Sequence, residues 1–128
     1  MSVRTWGFSP DEWESARGRL TNLLSEVAAA RSTVTYGEVA QRVFDGRVSA
    51  RSGALMDLLS DVDLTTERAR GIMIAALVVR ADSGIPGEGY FTFAQEELGR
   101  TITNRWEFWR GEVERVWDSF ATEEAALR

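Results

Sequence analysis

The sequence predicts an α+β fold in which two short helices and a β-hairpin form the middle of one domain, with a long amphipathic helix at either end. Three observations carry this expectation. Capping-box spacings stand at Ser9-x-x-Glu12 and Thr35-x-x-Glu38, an apolar run at 72–79 leads into a Pro-Gly turn, and a tryptophan-rich stripe recurs at helical spacing beyond residue 103. A chain of 128 residues buries roughly two thirds of its unfolded surface, which is enough for one core without staples. The expected organisation is a single domain over 1–128, with a helix at 9–30, a mixed core at 33–93 and a helix at 103–127.

The first helix is signalled by Ser9 as N-cap, Pro10 at N1, and Asp11 and Glu12 in the first turn. Trp13, Ala16, Leu20, Leu23, Leu24, Val27 and Ala28 then fall on one stripe, with Trp6 and Phe8 placed to staple its entry. Thr33-Val34 reads as a brief extended segment. A short helix from Tyr36 to Val43 follows, broken at Asp45-Gly46, and Ser49 is expected to cap the next helix, whose Leu55, Leu58, Leu59 and Val62 are spaced for burial. Asp63 to Arg70 is open between loop and helix.

Over the eight residues Ile72–Val79, periodicity does not separate a buried helix from a strand. The β-branched end and the turn chemistry of Ser83-Gly84-Ile85-Pro86-Gly87-Glu88-Gly89 favour a strand, with Tyr90 to Phe93 returning as its hairpin partner. A short helix at Ala94–Leu98 ends at Gly99. The last helix starts near Thr103 or Asn104 and puts Trp106, Trp109, Val113, Val116, Trp117 and Phe120 on one face.

Composition removes several chemistries. Cysteine, histidine and lysine are all absent, so every positive side chain is one of 15 arginines. Disulfides, Cys/His zinc sites, a histidine base, a cysteine nucleophile and a lysine Schiff base are excluded. Carboxylates, hydroxyls and an all-oxygen metal site remain, and no spacing recommends a metal or a cofactor. No apolar run approaches the roughly 20 residues a spanning helix needs, so the expected setting is cytoplasmic, without a membrane. The formal charge of −5 is carried beyond residue 80. Residues 42–51 hold Arg42, Arg47 and Arg51 against Asp45 alone, a focused positive spot in a chain too acidic for broad DNA coating.

Thr33-Val34-Thr35-Tyr36-Gly37-Glu38-Val39-Ala40 resembles the V-x-TYG-x-(I/L/V)-A segment of the alkylguanine-DNA alkyltransferases and their cysteine-less alkyltransferase-like relatives. Ala50-Arg51 is similar to the A-A-R that opens that family's DNA recognition helix, Arg51 standing where an arginine enters the duplex when a base is flipped. Leu77-Val78-Val79 with Ser83-Gly84 resembles the H-R-V-V and glycine turn after the catalytic cysteine. The likeness spans about 33–93. It implies a winged-helix-like core, helix-turn-helix plus hairpin, that binds DNA. The Pro-Cys-His-Arg box is missing, with Ala75 and Ala76 near its place, so what the resemblance implies is a binding relative rather than an enzyme.

The expected nucleic-acid contacts are Tyr36, Arg47, Ser49 and Arg51, the last three near a helix N-terminus that favours phosphate. The plainer alternative makes Tyr36 a half-buried aromatic and Arg51 a solvated first-turn residue. The Gly84–Gly89 loop reads as a turn rather than a phosphate cradle, and the tryptophans as core rather than base platforms. The competing function is a protein-interaction module, a regulatory adaptor or a phage or defence-system accessory. It would dock through the acidic, aromatic C-terminal helix at Trp109, Glu112 and Arg115.

Overall fold

The structure, a computed structural model, describes residues 6–126, with side chains to residue 121. Helix α1 (Pro10–Ala29) starts as its sequence dictates. The Ser9 hydroxyl accepts the Glu12 N–H, and the Glu12 carboxylate accepts the Ser9 N–H, closing both legs of the capping box. Strand β1 (Val34–Thr35) hands over to α2 (Tyr36–Phe44), where the Thr35 hydroxyl accepts the Glu38 N–H. Asp45 and Gly46, both at positive φ, then turn the chain. Helix α3 (Gly53–Arg70) is capped by Ser52, not Ser49, and runs unbroken through the stretch left open in the sequence, ending where Gly71 adopts φ 70°. A 3-10 turn (Ile74–Leu77) leads into β2 (Val78–Val79), followed by α4 (Glu88–Glu96) and α5 (Arg105–Ala126).

The expected hairpin, and with it the winged-helix-like core, is overturned. β2 pairs in parallel with β1, Val34 opposite Val78 and Thr35 opposite Val79, and this is the one sheet among the described residues. Tyr90 to Phe93 lie inside α4, whose Tyr90, Phe91 and Ala94 are buried at helical spacing. The turn chemistry is real but serves a strand-to-helix connection. The Arg80 N–H donates to the Ile85 carbonyl, the Gly84 N–H returns to the Arg80 carbonyl, and Gly87 becomes the N-cap of α4. The molecule is mainly helical, and the expected helix at 94–98 is the end of α4 and the turn after it.

The run 72–79 is buried throughout and passes through the middle of the molecule, its 3-10 turn packed among α1, α3 and α5. A buried irregular segment must still satisfy its backbone polar groups, and side chains of the flanking helices do so. Glu112 accepts the Met73 N–H at 2.8 Å, Asp63 the Ala75 N–H at 2.7 Å, and Thr66 the Ile74 N–H at 3.3 Å. The Thr66 hydroxyl donates to the Ile72 carbonyl, and the Trp109 indole N–H donates to the Ala76 carbonyl at 2.8 Å.

Glu112 also receives Arg100 and Arg115, while Arg100 reaches Glu67 and Arg115 reaches the Gly71 carbonyl. Removing one partner of such a buried, hydrogen-bonded network costs about 3–5 kcal/mol. Glu112→Ala is therefore expected to lose that much in urea melts, and a loss below about 1 kcal/mol would contradict the assignment.

Candidate functional site

β1 and β2 run the same way, so both end at one place. There Thr35, Tyr36 and Gly37 meet Arg80, Ala81 and Asp82, and the approach to α3 brings in Ala50, Arg51 and Met56. Gly87, Glu88 and Gly89 at the start of α4 close the far wall of a cavity of about 490 Å³. That size lies within the usual range for small-molecule pockets, about 300–1,000 Å³.

Tyr36 is fixed across this cavity because its phenolic oxygen accepts the Gly87 N–H at 3.0 Å, tying the first residue of α2 to the cap of α4. Burial pushes its phenol above the ordinary tyrosine range, and the Gly87 N–H opposes that only in part, so it stays a protonated donor at neutral pH. The rim carries several charges. Arg80 grips Asp82 through two hydrogen bonds at 3.0 and 2.8 Å, and Glu88 is held by Arg105. These pairings hold the Asp82 and Glu88 carboxyls below the usual range. Arg51 differs: its backbone N–H meets the Ser49 hydroxyl, but its guanidinium makes no hydrogen bond or ion pair among the described residues.

Two of the four expected nucleic-acid residues, Tyr36 and Arg51, thus line the same cavity. Ser49 sits just outside it as the acceptor for Arg51. Arg47 is elsewhere, over the Phe8 ring and paired with Glu12 at 3.1 Å in a separate cleft beside α1. The first half of α3 turns Asp57 and Asp61 outward, Asp61 paired with Arg17, and Trp6 lies on its first turn with its indole N–H on Asp57. The expected docking residues lie mostly inside the molecule. Trp109 (6% exposed) and Glu112 (3%) belong to the core, and exposed Arg115 is occupied by Glu112 and Gly71.

Asp63 was not among the expected site residues. It lies fully inside α3's buried face, with one carboxylate oxygen on the Ala75 N–H and no hydrogen bond on the other among the described residues. Burial raises its pKa to about 8, the Ala75 N–H opposes the rise, and Glu112 and Glu67 add to it. The signal was present: continuing the Leu55, Leu59, Val62 stripe by one helical step reaches Asp63 and Thr66. Arg80, Met56 and Glu88 carried no such signal, because only the chain path brings them to Tyr36.

A carboxyl raised to about 8 when folded, against about 4 unfolded, leaves the folded state holding the extra proton between those values. This contribution to stability is complete below about pH 4 and is lost as pH rises toward 8, at about 1.4 kcal/mol per pH unit. Urea melts across that window should show wild type weakening relative to Asp63→Asn. Parallel curves for the two proteins would contradict the assignment.

No family model, no curated protein and no solved structure matches the chain, so the reading of the site rests on the geometry of the Tyr36 and Arg51 cavity.

Proposed function

We propose that the protein is a non-catalytic, nucleic-acid-associated binding protein that takes one nucleobase-sized group into the cavity between Tyr36 and Arg51. The observation that carries this reading is the meeting, in one cavity, of Thr35-Tyr36-Gly37 and Ala50-Arg51. They belong to two of the three segments that resemble the alkyltransferase-like DNA-binding proteins. An aromatic ring that presents a phenol, beside a guanidinium with no partner among the described residues, suits a stacked base and its phosphate. Binding without transfer follows from the chemistry, since alkyl transfer needs a thiolate and the chain has no cysteine.

The contact is small. With Asp57 and the Arg17-paired Asp61 on the outer face of the half of α3 next to the cavity, and Arg47 tied to Glu12, that half of the helix does not lie along a groove, and recognition centres on the Arg51 loop. One or two phosphate-facing arginines give a salt slope of about −1 to −2, far from that of proteins coating many phosphates.

Fluorescence anisotropy with short duplex and single-stranded DNA, with and without an O6-alkylated guanine, tests this at low and moderate salt. Arg51→Ala should weaken binding about tenfold and reduce the salt slope by about 1. Tyr36→Ala should weaken it similarly, and Arg47→Ala by less than about twofold. Absence of binding, or binding indifferent to both Arg51 and Tyr36, would overturn the proposal.

A further inference from the structure

Behind the cavity, sharing Tyr36, Met56 and Gly89 with it, lies a smaller chamber of about 50 Å³. A single water needs about 10–15 Å³ of such space, so the chamber has room for a small group, about three to five water-sized units. Its wall is aromatic and soft, made by Tyr36, Tyr90, Phe93 and Met56, and its polar members are Ser60 and Asp63.

Three oxygens belonging to these lining residues are uncommitted. The Tyr90 hydroxyl is buried without a hydrogen-bond partner among the described residues, in a residue only 7% exposed. One Asp63 carboxylate oxygen and the Ser60 hydroxyl also make no hydrogen bond among the described residues. A buried carboxyl and an orphaned hydroxyl are each costly unless something meets them. No arginine among the described residues lines the chamber.

We propose that this chamber is a binding site for a compact organic cation bearing N–H donors, of the primary-ammonium class. The ammonium group would donate to Asp63, Tyr90 and Ser60 while the rings of Tyr36, Tyr90 and Phe93 face its charge. The three oxygens match the three N–H donors of an ammonium, and aromatic walls attract a desolvated cation. The field agrees. Glu112 and Glu67 both act on Asp63 as like charges, and Arg100 opposes them while engaged by those same two glutamates. Tyr36 and Tyr90, the other titratable groups facing the chamber, are both shifted upward and stay neutral. A cation lets Asp63 ionise in place. The chamber's chemistry does not depend on what occupies the outer cavity, so its test is separate from DNA binding.

The test is a titration of isotope-labelled protein with methylammonium chloride against sodium chloride at equal ionic strength, following the Ala75 amide. A saturable shift is expected, about tenfold tighter at pH 9 than at pH 7 because Asp63 must ionise to bind. Tetramethylammonium, which lacks N–H donors, and neutral acetamide should give no saturable shift. Asp63→Asn should abolish binding and Tyr90→Phe should weaken it severalfold. If Asp63→Asn fails to fold by circular dichroism, Tyr90→Phe and the pH dependence decide. No saturable shift at pH 9, equal binding of acetamide, or unchanged affinity in Tyr90→Phe would overturn the proposal.

Discussion

Everything in this molecule is arranged around a buried segment that is neither helix nor sheet over most of its length. Ile72 to Val79 is apolar enough to seek the core, yet a 3-10 turn and a two-residue strand leave much of its backbone without regular partners. The flanking helices supply them. Asp63 and Thr66 from α3, and Trp109 and Glu112 from α5, reach inward to the amides and carbonyls of residues 72–76. Hydrophobic burial drives the segment inside, and hydrogen bonds from side chains make the burial tolerable.

That arrangement explains why carboxylates lie in the core of an otherwise ordinary helical domain. Glu112 is paired with Arg100 and Arg115, whereas Asp63 has an amide and, among the described residues, no cation on it. The same segment positions the outer cavity. Its last two residues pair with Val34 and Thr35, so that Tyr36 and Arg80 emerge side by side. The site is thus a product of the chain's path through the core, and the chemistry at its deep end is a by-product of holding that path.

Local signals in the sequence were mostly dependable where the cause was local, although Ser52 rather than Ser49 caps α3 and Trp106 of the last stripe is exposed. The capping boxes, the stripe of α1, the Asp45-Gly46 break and the tryptophan stripe of α5 all act within a few residues, and each element stands close to where those signals put it. The hairpin failed because β-branched residues and Pro-Gly chemistry suit a two-residue parallel strand and a helix entrance as well as they suit a hairpin. Which one forms depends on Val34 and Thr35, more than 40 residues away. Tyr36 and Arg51 were legible as candidates, but their sharing a cavity with Arg80 was not. Glu112 was misplaced for a different reason. Its charge suggested a surface, although it lies three residues from Trp109 on the face that carries Val113 and Val116.

Native-state amide hydrogen exchange at the central segment tests this account most directly. If side chains of α3 and α5 hold the backbone of residues 73–75, the Met73 and Ala75 amides should exchange only through global unfolding, as slowly as the core of α3 around Leu58. Exchange as fast as in the exposed turn at Asp82 and Ser83 would show that the segment is not held in this way, and the fold would need another explanation.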